Sequence, residues 1–387
     1  MFERIKNLQL SVIKQMELRA VRYPDVISLA QGIPSFDTPG CIKTRVQRAL
    51  SQGVTAKYSL SPGLPELREL IELSLAEDNM FYDWQNEIIV TAGAIEALTA
   101  SILAISQPGD EIIIPSPGYT SYGEIINLAG CKPIFVPLNE DKNWAFESEK
   151  FLKAVTKKTK AILYSNPNNP TGTVFGKNQL LALAKIAKNH QLFIIADEVY
   201  KDFIYENENN QSTKLFSLAE IPELRQKVIR IFSFSKSYAM TGWRVAYLHS
   251  DESVVREILK VHDTLVTCAP VVSQYAAMGA LEMGKNDVIK FKNAYQKRRD
   301  TICSRLDRLN KIFSYIKPNS SYYVFPKMLT GVKDSWEFSI NLLDKIQVAV
   351  VPGVAFGPNG EAHIRMSFSR AEEQINQAFD RLDKYFS

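Results

Sequence analysis

The chain alternates between two textures. Short apolar runs, mostly β-branched or aromatic, stand at 87–90, 111–114, 133–136, 161–164, 192–196, 228–232 and 244–248. That composition suits strands buried on both faces. Helix-like stretches lie among them, at 64–76, 95–105, 119–128 and 179–190. Helix-strand alternation of this kind predicts an α/β fold with a mostly parallel central sheet covered on both sides.

The texture changes near residue 285. A long charged helix-like run at 287–309 leads into shorter segments, then a strand-like VAVVPG at 348–353 and a last helix at 371–385. Pro352 and Gly353 mark the end of that strand. The stretch before Cys41 reads as helix and then loop, with Gly32, Pro34 and Pro39, and is expected to pack with the tail. With 387 residues the chain exceeds what one core of ordinary size uses. We expect a large domain at 41–284 and a smaller α+β domain built from 1–40 and 285–387.

Composition narrows the classes. Hydrophobic residues make up 45% and charged residues 23%, ordinary for a globular protein and unlike a disordered or fibrous one. A net charge of +4, on 46 basic and 42 acidic side chains, is too even to argue for nucleic acid or a membrane surface as partner. The basic cluster of Lys157, Lys158 and Lys160 reads as a solvated loop. Cys41, Cys131, Cys268 and Cys303 form no close pair, so free thiols in a reducing cytosol are expected. No metal ligand is assigned. The first twenty residues mix charges throughout, unlike a signal peptide, and no stretch approaches the ~20 apolar residues of a membrane helix. A cytoplasmic enzyme fits best.

In open α/β sheets ligands bind beyond the carboxyl ends of the strands, so the residues that follow each strand carry the chemistry. The first strand runs into Thr91-Ala92-Gly93-Ala94-Ile95-Glu96. A glycine before a helix lets backbone N–H groups and the helix dipole face an anion; a plain tight turn gives the same pattern. The strand at 161–164 ends in SNPNNPTG, 165–172, a rigid turn with exposed amide side chains in which Asn169 is placed to donate into the crevice. The strand at 192–196 ends in Asp197-Glu198-Val199-Tyr200, and a carboxylate there needs a cationic partner. The strand at 228–232 ends in Ser233-Phe234-Ser235-Lys236, with Arg244 eight residues further on. Desolvation and nearby cations make such a lysine a nucleophile, and Arg244 is placed to clamp a phosphate with two parallel hydrogen bonds.

At these residues the chain resembles the class I aminotransferases of the fold-type I pyridoxal-phosphate enzymes. SNPNNPTG, ADEVY and SFSKSYAMTGWR occur in that order, with SLAQGIPSFDTP before them and VVPGVAFG and RMSFS after. The resemblance runs from about residue 27 to 369 and implies a role for each matching residue. Lys236 matches the Schiff-base lysine, both nucleophile and general base. Asp197 matches the aspartate that keeps the pyridine nitrogen protonated, the condition for an electron sink; unit charges ~3 Å apart at an effective dielectric of ~20 attract by about 5 kcal/mol before desolvation. Asn169 and Tyr200 match the hydrogen-bond partners of the phenolic oxygen, and Tyr119 the aromatic on the ring face. Gly93, Ala94, Ile95, Ser233, Ser235 and Arg244 match the phosphate site, although some relatives carry hydroxyl or lysine side chains where this chain has Ala94 and Ile95. Tyr58 matches a tyrosine that reaches the neighbouring subunit's phosphate, which implies a homodimer. Arg365 and Gly32 match the residues around the substrate α-carboxylate.

The resemblance implies amino transfer from an L-amino acid to a 2-oxo acid, 2-oxoglutarate first among acceptors, by ping-pong kinetics. Two other readings remain open at this point. Pyridoxal-phosphate β C–S lyases share the pattern, and domains of this fold also serve as ligand sensors. Donor specificity is expected to be set around 11–16, at Tyr58 and at 264–270, with a lean toward a broad or aspartate/aromatic range.

Overall fold

The computed structural model describes residues 8, 10–205, 214–332 and 334–387. Its centre is a seven-stranded sheet: β1 (Ile88–Thr91), β2 (Glu111–Ser116), β3 (Lys132–Pro137), β4 (Thr159–Ser165), β5 (Phe193–Asp197), β6 (Val228–Ser233) and β7 (Ala246–His249). The spatial order is β1-β7-β6-β5-β4-β2-β3, with β7 antiparallel to both its neighbours and the other pairings parallel. All seven expected strands are present within a few residues. The expected strand at 244–248 begins later, because Arg244 adopts a left-handed backbone conformation with φ 54°.

Successive strand side chains point to opposite faces, and here both faces are dry except along the edge strand β3, where Val136 alone is buried. Ile89, Ile112, Ile114, Leu163, Ile195, Ile229 and Ile231 pack beneath helices Ala94–Ile105, Ser121–Leu128 and Glu252–Val266. Their alternates Ile88, Val90, Ile113, Ile162, Tyr164, Ile194 and Phe232 face helices Pro65–Glu77 and Lys177–Asn189. Each such side chain contributes about 1.5–3 kcal/mol by burial. The apolar runs follow from this two-sided burial.

Helix Pro65–Glu77 shows how local rules place an element. Pro65 stands at its first position, where a missing N–H is harmless. Leu67, Ile71 and Leu75, four residues apart, form its buried stripe. Among the described residues six helices lie outside the expected set: Gly40–Ser51, Ser148–Ala154, the single turn Phe234–Ser237, Glu252–Val266, Val271–Met283 and Ser335–Ile346. Val271–Met283 is buried almost all round, so its sequence has no polar face to reveal a period. It sits against Gly40–Ser51 so closely that a β-carbon on Gly279 would stand 3.0 Å from the Arg45 side chain.

Both chain ends meet. Ile27–Ser28 pairs in parallel with Val348–Ala349, and Ser35 N–H donates to the carbonyl of Ser369. The run expected as one strand at 348–353 is two short ones; Val351–Pro352 pairs instead with Ile364–Ser367. Helix Val12–Ala20 lies within the expected leading helix, whose residues 1–7 and 9 fall outside the described ones. The long helix spans Lys285–Arg308 and the last one Glu372–Phe386. Among the described residues no helix is long and apolar enough to cross a membrane.

Candidate active site

Six strands run the same way, and five of them end in Thr91, Ser116, Ser165, Asp197 and Ser233 along one sheet edge, the sixth in Pro137 beside Ser116. Above that edge lies a cavity of about 460 Å³. Twelve of the residues singled out in the sequence line it: Gly32, Ala94, Ile95, Tyr119, Asn169, Asp197, Tyr200, Ser233, Ser235, Lys236, Arg244 and Arg365. The register explains part of this. Ser165 pairs with Asp197 across β4 and β5, so residues just past those pairs arrive side by side.

Lys236 sits on the single helical turn Phe234–Ser237, capped by Ser233, whose hydroxyl accepts from Ser235 N–H at 3.2 Å. Its Nζ donates to the Gly32 carbonyl at 2.9 Å. Burial pulls its pKa from 10.5 down to about 8, helped by the positive charges of Arg365 and Arg244 and opposed by Asp197.

Asp197 is 4% exposed, and burial pushes its carboxyl from 3.8 up to about 6. Oδ2 accepts from the hydroxyl of Tyr122 at 2.7 Å. Oδ1 is buried without a hydrogen-bond partner, an open acceptor that needs a donor. The neighbouring Glu198 turns away from the cavity, to Arg230 at 2.6 Å and Ser217 at 2.7 Å.

Arg365 is 1% exposed. Nη1 donates to Asn169 Oδ1 at 3.0 Å and Nη2 to the Ala30 carbonyl at 2.5 Å, while Nε is buried without a partner. An unpartnered donor of a fixed guanidinium suits a carboxylate. The asparagines of the SNPNNPTG turn are not exposed, contrary to the expectation. Asn166 bonds the backbone of Phe175 and Asn168 the Pro117 carbonyl, so two of the three amides brace the turn itself.

Gly93 does not itself line the cavity; it stands between Ala94, which does, and the strand end at Thr91. It caps helix Ala94–Ile105 at φ 90°, and a β-carbon there would stand 2.3 Å from Arg244 Nη2. The absence of a side chain lets the guanidinium lie against the helix start, a cationic group beside free N–H donors. Tyr58 lies elsewhere, 84% exposed, beside Cys268, Ala269, Pro270 and Val271. Of the expected specificity segments, Ser11, Ile13 and Lys14 line the cavity and 264–270 does not.

Three side chains were missed in the sequence. Tyr122 holds Asp197. Tyr322 donates to the Gly32 carbonyl at 3.0 Å. Tyr323 shares a 3.0 Å hydrogen bond with Tyr200, hydroxyl to hydroxyl. Tyr122 carries a faint signal, standing one helical turn after Tyr119 in SPGYTSY; the other two sit in a stretch with no chemistry of its own.

Comparison with known proteins shows the family. The family model for class I and II aminotransferases matches residues 24–382. The chain is 36% identical to an aspartate aminotransferase of Pyrococcus abyssi over 99% of this chain and 97% of that one. It is 34% identical to aromatic-amino-acid aminotransferase 2 of Thermococcus litoralis, again over 99% and 97%. Among solved structures, the aspartate aminotransferase of Thermus thermophilus with maleate superposes at a TM-score of 0.93, with 30% identity and 99% of each chain covered.

Proposed function

This chain belongs to the class I and II aminotransferases, enzymes of fold type I, and from that premise we propose that Lys236 is its catalytic amine and pyridoxal phosphate its cofactor. The residues present fit that group. Asp197 offers an unpartnered buried oxygen for a protonated ring nitrogen. Gly93, the N–H groups of Ala94 and Ile95, Ser233, Ser235 and Arg244 form a cradle suited to a phosphate. When bound, pyridoxal phosphate supplies an aldehyde that condenses with amines and a ring that accepts electrons while its nitrogen stays protonated.

The chain's own side chains do the rest. Lys236, with its pKa drawn down to about 8, is partly neutral near physiological pH and serves as nucleophile and as base at the substrate α-carbon. Tyr200 donates from its hydroxyl, and Tyr119 supplies an aromatic face. Arg365 grips the α-carboxylate, held in place by Asn169 and close to the backbone of Gly32. Lys236 then hands the α-proton on within the cavity, and the nitrogen passes from an L-amino acid to a 2-oxo acid.

The observation that carries this reading is that Lys236, Asp197 and Arg365 line one cavity, with Asp197 Oδ1 and Arg365 Nε each buried without a partner. The names of the relatives support an aspartate or aromatic donor range, and the acceptor we propose is 2-oxoglutarate. Exposure of Tyr58 supports its reaching the partner site of a homodimer. The shared apolar cluster of Ile27, Leu29, Val348, Ile364 and Phe379 supports a small domain of 1–40 with 285–387 beside a large one of 41–284. The lack of a membrane-length helix among the described residues is in keeping with a cytoplasmic enzyme.

One spectroscopic experiment tests the proposal. Adding L-aspartate alone to the loaded protein is expected to convert the cofactor to its aminated form, and 2-oxoglutarate to restore the original spectrum. Release of pyruvate from cystathionine without an acceptor, and no aminated form, would show a β C–S lyase instead.

A further inference from the structure

We propose that Tyr323 is a positioning residue of this site that acts through two others: its hydroxyl sets the direction in which Tyr200 donates, and its ring carries the guanidinium of Arg365. The inference rests on the roles proposed above for Tyr200 and Arg365.

Backbone register fixes where Tyr323 stands. Tyr323 pairs with Ser367 and Val324 with Met366, so Tyr323 lies beside the strand that bears Arg365. Adjacent strand residues diverge. Tyr322 therefore reaches the Gly32 carbonyl, whereas Tyr323, 2% exposed, reaches the Tyr200 hydroxyl at 3.0 Å. The Arg365 Cζ lies 4.2 Å from the centre of the Tyr323 ring and 5.1 Å from that of Phe356.

Two phenols share one hydrogen bond, and which one donates matters. If Tyr200 donates to Tyr323, its proton is spent. If Tyr323 donates, the Tyr200 proton is free for an anionic oxygen in the cavity, and the chain of two hydrogen bonds makes Tyr200 a stronger donor. The groups facing Tyr200 are Tyr119, Tyr322, Tyr323 and Arg365, with Lys236 Nζ 6.0 Å from its ring centre. Arg365 beside the pair favours negative character on both oxygens and does not compete for either proton, because guanidinium accepts no hydrogen bond. The ring contact acts separately. A guanidinium held face-on to an aromatic ring keeps its plane, so Nη1 stays on Asn169 and Nε stays open.

Two substitutions separate hydroxyl from ring. In protein loaded with pyridoxal phosphate, Tyr323→Phe removes the hydroxyl alone. The anion served by Tyr200 is then less stabilised, so the pH midpoint of the visible absorbance change is expected to rise by about half a unit. The Kd for maleate, an unreactive dicarboxylate, is expected to stay within about twofold. Tyr323→Leu removes the ring as well and is expected to weaken maleate binding about tenfold. Should the leucine variant fail to fold, Tyr323→Met, flexible enough to fill the space, takes its place. An unmoved midpoint in Tyr323→Phe overturns the hydroxyl role, and unchanged maleate binding in the variant without the ring overturns the other. If the unsubstituted protein shows no visible band with pyridoxal phosphate, it is the functional reading beneath the proposal that fails.

Discussion

Lys236 donates its amine to the carbonyl of Gly32 at 2.9 Å, although 204 residues separate them. The turn that bears Gly32 is held to this point by Tyr322, which donates to the same carbonyl. The N-terminal turn thus forms one wall of the cavity, and the amine lies against it.

Gly32→Ala tests that wall. The hydroxyl of Tyr323 lies 1.8 Å from the place a β-carbon on residue 32 would occupy. Either the turn or Tyr323 must shift, and Lys236 and Tyr200 shift with them. Displacements near 1 Å at a reacting centre cost about a hundredfold in rate. We expect a fall in kcat/KM of that order with the cofactor still bound, read by steady-state kinetics beside the visible spectrum. Wild-type kinetics would show that the turn does not position the amine.

The pH dependence of the cofactor-free protein follows from Asp197. Burial raises its carboxyl to about 6 from 3.8, so the folded chain holds the proton more tightly than the unfolded one. Ionising it therefore destabilises the fold. The loss begins as pH rises above 3.8 and is complete above about 6, amounting to about 3 kcal/mol. Asp197→Asn is expected to raise the Tm of the cofactor-free protein at pH 7 and to flatten its profile between those values, while abolishing amino transfer. Tyr122→Phe, which strips the carboxylate of a donor at 2.7 Å, is expected to move the same profile to higher pH. A thermal-shift series across pH measures both.

Lys236 obeys the opposite sign. Its pKa is lowered from 10.5 to about 8, so the charged amine destabilises the folded chain most fully below about 8, and the effect fades as pH rises toward 10.5. Labelling of the cofactor-free protein with an amine reagent is expected to show a midpoint near 8 at this residue. Lys236→Met should be more stable than the parent at pH 7 and inactive. Borohydride treatment of the loaded protein should fix the cofactor at Lys236, seen as one modified peptide by mass spectrometry; fixation at another lysine contradicts the assignment.

Arg365→Lys keeps the charge and loses the planar fork. Asn169 then loses its Nη1 donor, and the carboxylate loses the open Nε. With charge-assisted hydrogen bonds worth about 1.5–3 kcal/mol each, KM for the amino donor is expected to rise about a hundredfold. Equal KM values in variant and parent would place the carboxylate elsewhere.

Gly93→Ala addresses the phosphate cradle. A methyl group there meets Arg244 at 2.3 Å and must adopt φ 90°, which L-residues avoid. Affinity for pyridoxal phosphate is expected to fall at least tenfold, with Tm of the cofactor-free protein lowered by a few degrees. Fluorescence titration of the cofactor-free protein separates the two effects.

The amino-acid sequence by itself determined the seven central strands, six of them because two-sided burial demands unbroken apolar runs that no surface element needs, and the half-exposed edge strand Lys132–Pro137 through its Ile134-Phe135-Val136 run. It also determined which strand ends carry polar chemistry, since a charged or amide residue at the end of such a run is out of place without a purpose. Lys236, Asp197, Asn169 and Arg244 were legible on that ground, and Arg365 and Gly32 through the order of the motifs. Helix Val271–Met283 was not legible, because burial on all sides removes the polar face that betrays a period. Tyr122, Tyr322 and Tyr323 were not legible either. A tyrosine reads as an ordinary core aromatic until its hydroxyl has a partner, and here the partners, Asp197, Gly32 and Tyr200, stand 75, 290 and 123 residues away. Only tertiary packing decides such meetings, because they depend on how two chain ends and a sheet edge close on one another rather than on any local pattern.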